Sequence, residues 1–296
     1  MPRLSRGELH VMSDGKAVKP KREEEEEAGG VDVPALLGKT ILLAWILFSA
    51  YTIRLHAVNV YGRVIHEFDP WFNFRATDYL VNHGAKAFWN WYDTEAWYPL
   101  GRPVGTTIYA GLQFTSAYIF YALEALGTPM SLNDVCVFVP AWFGPITTLF
   151  VFGMAYEASF SSTAALGAAF FMSVTPAHLM RSVAGGFDNE GIAVAAICGT
   201  FYFWMRSIRT EGSWPWAFAT AAMYIYMVAA WGGYVFVLNM VIYGCMCTCV
   251  CVCVCVYVCI YIYIYIYTHT YMHTHTHIHT YTHICTYIHT YIHRKR

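Results

Sequence analysis

An all-α, polytopic membrane protein is the fold class this sequence predicts, on three observations. Hydrophobic residues make up 57% of the 296-residue chain and charged residues 12%, with a mean hydropathy of +0.39, against roughly 25% charged residues in soluble domains. The hydrophobic residues gather into long stretches, and the breaks between them carry charge or small residues. In lipid, such stretches satisfy their own backbone N–H and C=O groups as helices. The net charge of −1 comes with no basic face, which excludes nucleic-acid binding.

The elements follow in order. Residues 1–35 are polar, with Lys16, Lys19, Lys21 and Arg22 abutting the run Glu23 to Glu27, and are predicted to be a disordered cytosolic tail. "LLGKTILLAWILFSAYTI" starts at Leu36 and approaches the ~20 residues needed to cross the hydrocarbon. Residues 36–54 are therefore the expected first transmembrane helix, retained as an anchor, with Lys39 and Arg54 snorkelling near its ends. The basic residues before it put the N-terminus in the cytosol and the following segment on the lumenal side.

Residues 55–134 are polar and aromatic and form the expected first lumenal loop. A multi-span region, 135–243, is read from apolar stretches at Val135 to Tyr156, Ser162 to Leu179, Gly191 to Met205, Trp214 to Ala230 and Tyr234 to about Tyr243. Parity constrains the count. For Asp69 to share a side with Asp188 and Glu190, an even number of spans must separate them, yet three apolar stretches intervene. The stretch from Ile108 to Leu126 is the most polar, with Gln113 and Glu124, and holds Tyr118, Phe120 and Tyr121; a helix near 108–126 is thus expected to lie in the interface. The loop 180–190 is then lumenal, and Arg206 and Arg209 are cytosolic.

The segment 244–296 is a low-complexity tail. Its Cys-Val, Tyr-Ile and Thr-His alternations are what TGTGTG, TATATA and ACACAC repeats encode in frame, so it reads as translated dinucleotide repeat rather than a metal-binding tract. Eight of the ten cysteines lie between Cys245 and Cys285, leaving Cys136 and Cys198 in apolar surroundings as small buried residues with no disulfide framework.

Carboxylates at membrane boundaries are costly and are commonly functional. In "GGFDNEGIA", Asp188 and Glu190 flank one residue, Asn189, and follow Ala184, Gly185 and Gly186, whose small size admits a close backbone approach. Two carboxylates on a tight turn repel unless a cation lies between them. Oxygen-only ligands favour Mg²⁺ or Mn²⁺ over zinc. Upstream, Glu67, Phe68 and Asp69 open "EFDPWFN" in a similar setting.

Residues from about Leu36 to Met240 resemble the N-terminal part of the catalytic subunit of the eukaryotic oligosaccharyltransferase, a type C membrane glycosyltransferase. The likeness rests on "VIHEFDPWFNFRATDYLVNHG", "FWNWYDTEAWYPLGRPVGTT", "HLMRSVAGGFDNEGIA" and "AAWGGYVFVLN". It implies a truncated type C transmembrane region with a long first lumenal loop. It further implies transfer of a preassembled oligosaccharide from dolichyl diphosphate to asparagine of N-x-S/T sequons in the endoplasmic reticulum (ER) lumen. By the same resemblance, Asp69, Asp188 and Glu190 would bind Mn²⁺ or Mg²⁺, Asp69 and Glu190 would hold the acceptor carboxamide, and Arg181 would act electrostatically in catalysis. Trp71, Phe72, Trp89, Trp91 and Trp97 receive no role beyond packing and interface contact, and His66 and His83 are not metal ligands on this reading.

The implied partners are the other oligosaccharyltransferase subunits, the dolichol-linked oligosaccharide, nascent lumenal polypeptide and the membrane, in a multi-pass ER protein with a cytosolic N-terminus. The family's later lumenal glutamate and its "WWDYG" motif do not occur in this sequence. The chain as written is accordingly expected to be inactive, with a non-catalytic fragment that binds other complex subunits as the alternative. A transporter would place its acids within spans, whereas Asp69, Asp188 and Glu190 sit at their ends.

Overall fold

The computed structural model describes residues 12–13, 16–17, 32–209 and 212–248. Most of the tail 1–35 and most of the repeat segment 244–296 lie outside them. Two short strands, β1 (Met12–Ser13) and β2 (Lys16–Ala17), pair antiparallel. By contacts the chain divides into two compact units, residues 1–44 and 45–296.

Helix α1 (Val33–Arg54) opens three residues before the predicted span. At 1.5 Å per residue its 22 residues reach about 33 Å, enough for the hydrocarbon core. Leu36, Leu37, Ile41, Trp45 and Phe48 are all exposed along it, as lipid contact requires. Helix α6 (Leu132–Ser159) is also long and apolar enough to cross a membrane, whereas α7 (Ser162–Val174), though apolar, has 13 residues. The stretch read as continuous to Leu179 breaks before Pro176, because proline disfavours helix in the residue ahead of it; the short α8 (Pro176–Met180) follows. Helices α9 (Asn189–Ser207), α10 (Trp214–Ala230) and α11 (Tyr234–Thr248) match the remaining apolar stretches closely.

The region 55–134, read from the sequence as a lumenal loop with one helix near 108–126, is largely built of regular elements. It holds α2 (His56–Tyr61), α3 (Phe68–Trp89), the strands β3 (Tyr92–Asp93) and β4 (Arg102–Pro103), α4 (Val104–Thr107) and α5 (Gly111–Ala125). Helix α5 rests on α3 around Ala76, Leu80, Phe88 and Ala117. Arg75 of α3 ties the hairpin down through Asp93 (3.0 Å) and Glu95 (2.6 Å). Tyr79 stacks on Trp91 at 4.1 Å. Of the polar residues of α5, Gln113 is fully buried against α3. Its Nε2 has a partner there, which offsets part of the penalty for burying the amide.

The larger core joins α6, α9, α10 and α11, with Phe187, Ile192, Met227 and Val237 fully buried. Cys136 is buried in it, as its apolar neighbours suggested. At the far end of α6, Glu157 pairs with Arg206 at 3.3 Å and with Arg209.

Arg54 departs most from expectation. It does not snorkel but is fully buried, because protein carbonyls and a hydroxyl replace the water its guanidinium would seek. Nε donates to Ser182 Oγ at 2.8 Å, and Nη1 donates to the carbonyls of Ala50 (2.7 Å) and Ser173 (3.2 Å). Gly144 on α6 faces this guanidinium so closely that a Cβ there would overlap it. Gly144→Leu should therefore displace Arg54 and destabilise the protein by about 1–3 kcal/mol. Thermal unfolding in detergent checks this, and an unchanged melting temperature would contradict the packing.

Candidate functional site

Asp69 lies in the first turn of α3, just ahead of the buried Pro70, a position where a carboxylate meets the positive end of the helix dipole and a proline lacks only an unused N–H. Glu67 precedes the helix with φ 66° and ψ 168°. A non-glycine residue held there costs on the order of 1–3 kcal/mol, so neighbouring contacts must hold it. One is on its flank: His66 N donates to Gly185 O at 2.9 Å.

Gly185 belongs to the turn that joins α8 to α9. Ala184 N donates to Arg54 O and Gly185 N to Val137 O, both at 2.9 Å. The small residues noted in the sequence thus admit three other backbones. Gly185 has φ +95°, and a Cβ on it would stand 2.5 Å from Val64 O and 2.6 Å from the His66 ring. Side chains rarely adopt that conformation, and here no room exists for one.

The turn delivers both acids to the N-terminus of α9. Asp188 is the N-cap, its Oδ1 accepting from Asn189 N at 2.7 Å, and Glu190 follows in the first turn. Capping satisfies a backbone donor that the helix leaves unpaired. Asn73, four residues along α3 from Asp69 and so on the same face, donates Nδ2 to Asp188 Oδ1 and to Phe187 O, each at 3.2 Å. Arg181 Nε forms an ion pair with Glu190 Oε2 at 2.9 Å. The structure therefore brings the "EFDPWFN" helix against the "GFDNE" turn, with Arg181 on Glu190. Asn189 itself is occupied structurally, donating Nδ2 to Ala230 O (2.9 Å) and Tyr109 O (3.3 Å).

The electrostatics follow from which oxygens are taken. Oδ1 of Asp188 accepts two hydrogen bonds and Oε2 of Glu190 is in an ion pair, while Oδ2 and Oε1 have no hydrogen-bond donor or ion-pair partner among the described residues. The free carboxylate oxygens are acceptors of the kind an amide N–H or a hard divalent cation takes, while the Arg181 guanidinium and the α9 N-terminus beside them supply positive charge of their own. The donor chemistry fits Mn²⁺ or Mg²⁺. The ligands are not gathered: among the described residues no three His, Cys, Asp or Glu side chains converge to hold an ion, and Asp69 is exposed.

Sequence reasoning missed Asn73, Gln113 and Arg54. The first had a signal in its four-residue spacing from Asp69, and Gln113 in its polarity within an apolar helix. Of the aromatics, Phe72 and Trp97 hold the Arg102 guanidinium at 5.1 and 4.9 Å, a packing role.

Residues 38–293 match the family described as "Oligosaccharyl transferase STT3, N-terminal". The chain belongs to this family. Curated relatives include dolichyl-diphosphooligosaccharide–protein glycosyltransferase subunit stt-3 of Caenorhabditis elegans, 46% identical over 201 residues, covering 68% of this chain and 26% of that protein. The corresponding subunit STT3 of Saccharomyces cerevisiae is 45% identical over 204 residues, covering 69% and 28%. This STT3-family chain thus spans about a quarter of the length of those relatives. Among solved structures, the apo oligosaccharyltransferase of Archaeoglobus fulgidus aligns with a TM-score of 0.51 and 20% identity, covering 67% of this chain and 24% of that one, which shows the shared fold. The AglB structure from the same organism, in complex with an inhibitory peptide and a dolichol-phosphate, aligns at 0.51 and 19%, with the same coverage. The family match continues across the repeat segment that the sequence reading set apart.

Gly185→Val should destabilise the protein by about 1–3 kcal/mol through its backbone conformation and the clash with Val64 O. Circular dichroism melts of the purified protein measure it, and a wild-type melt would show that the turn is not packed this closely.

Proposed function

We propose that this chain forms the N-terminal membrane region of a dolichyl-diphosphooligosaccharide–protein glycosyltransferase, which transfers a preassembled oligosaccharide to asparagine of N-x-S/T sequons in the ER lumen. The observation that carries this is the joining of two distant motifs in a family member. Residues 66–73 meet 185–188 through His66 N–Gly185 O and Asn73–Asp188.

The chemistry gives each acid a task. An amide nitrogen is a poor nucleophile because its lone pair is delocalised into the carbonyl. Carboxylates that accept both N–H groups favour a twisted, less conjugated amide. Glu190 can accept one N–H on Oε1 while Arg181 stays on Oε2, since a carboxylate offers about four lone-pair sites, and Asp69 accepts the other. Asp69, Asp188 and Glu190 would hold Mn²⁺ or Mg²⁺, which when bound offsets negative charge on the departing lipid diphosphate. Arg181 adds positive charge beside the same carboxylates.

On this reading the protein is a multi-pass ER membrane protein with a cytosolic N-terminus and a lumenal acidic turn. Its partners are other subunits of the complex, the dolichol-linked oligosaccharide and nascent lumenal polypeptide. The names of the relatives, each a subunit of a transferase, support such an assembly.

Asp69→Asn or Glu190→Gln in the intact transferase should lower glycosylation of a sequon reporter by ~10²-fold or more, comparable to removing a preorganised transition-state contact. The assay is a gel-mobility shift of a lumenal reporter in cells lacking the native subunit. Wild-type glycosylation by both variants would refute the assignment.

A further inference from the structure

We infer that Asn73 is a positioning residue for Asp188, held in turn by Gln113. This rests on the functional reading above and adds a residue to it. The three side chains form one hydrogen-bonded line from α5 through α3 to the N-cap of α9. Gln113 Nε2 donates to Asn73 Oδ1 at 3.1 Å, and Asn73 Nδ2 donates to Asp188 Oδ1 and Phe187 O. Asn73 is 8% exposed and Gln113 0%, so the line runs away from solvent.

The polarity of the line is fixed by its far end. Both Phe187 O and the Asp188 carboxylate are acceptors, so Asn73 must present its NH₂ to them. Its carbonyl must then face Gln113, which must donate. Reversing either amide would set acceptor against acceptor in a buried site, at the cost of unsatisfied polar groups.

The consequence falls on Asp188. Two donors, Asn73 Nδ2 and Asn189 N, converge on Oδ1, which sets the carboxylate plane and leaves Oδ2 for a ligand. The N-cap bond alone is a pivot, since a carboxylate can rotate about a single accepted hydrogen bond. Asn73 supplies the second point. Because Asn73 shares a face of α3 with Asp69, the same contact sets the spacing between the Asp69 turn and the Asp188 turn. Gln113 Oε1 is buried with no partner, so this amide serves through the bond it donates.

The test is a double-mutant cycle in the intact, detergent-purified transferase, reading Mn²⁺ affinity by the electron paramagnetic resonance of free ion, with melting temperature alongside. Asn73→Leu should weaken Mn²⁺ binding about 10–100-fold, as loss of a partner that orients a metal ligand does. Gln113→Leu should shift it in the same direction by less. In an Asp188→Asn background, Asn73→Leu should cost nothing further. Unchanged affinity in Asn73→Leu while Asp188→Asn weakens binding would overturn the positioning role, as would full additivity in the cycle. Should Asn73→Leu fail to fold, Gln113→Leu decides, and wild-type affinity there overturns the inference. Wild-type affinity in Asp188→Asn would overturn the site assignment itself, and the positioning role with it.

Discussion

The turn between α8 and α9 is fastened by three backbone hydrogen bonds to segments far away in sequence, and the site depends on them. Arg54 O, Val137 O and His66 N each hold one position of Ala184–Gly185. The first is the end of α1, the second lies in α6 and the third is the approach to α3. A turn left to itself would leave these groups to water, and buried backbone groups without partners are rare because each costs free energy. Here every fastening also fixes where Asp188 and Glu190 point. Side chains at 184 and 185 have to be small for the backbones to meet, and a Cβ at Gly185 already reaches Val64 O.

Arg54 reinforces the same turn from below. Its backbone carbonyl accepts from Ala184 N while its side chain donates to Ser182 Oγ, so one residue grips the turn twice. A buried guanidinium that makes three hydrogen bonds and pairs with no carboxylate among the described residues is costly to bury. With Ile46 and Ala50 also buried, the last turns of α1, from Ile46 to Arg54, are part of the site's foundation.

Much of the helical layout was legible in the sequence, because apolar stretches bounded by charged residues announce themselves as helices. The bounds of α10, Trp214–Ala230, were read correctly, and the break after α9 fell at the arginines. The acids were singled out because charge is conspicuous in such a chain. What the sequence concealed was α3. Its apolar residues are interleaved with Asp78, Asn82, His83 and Lys86, so its period is hidden in polar composition, and tertiary packing on α5 supplies the stability. The burial of Gln113 and of Arg54 is concealed for a related reason. A polar side chain in an apolar stretch signals either solvent or a buried partner, and sequence spacing does not say which when the partner is 40 or 128 residues away.

The acidic turn is built in advance by its backbone, and not shaped by whatever binds to it. Hydrogen–deuterium exchange of the purified chain in detergent, without added metal or peptide, tests this most directly. The amides of His66, Ala184 and Gly185 should exchange as slowly as those inside α9, although none lies in a helix. Exchange of these amides at the rate of the exposed segment around Tyr98 and Leu100 would contradict it.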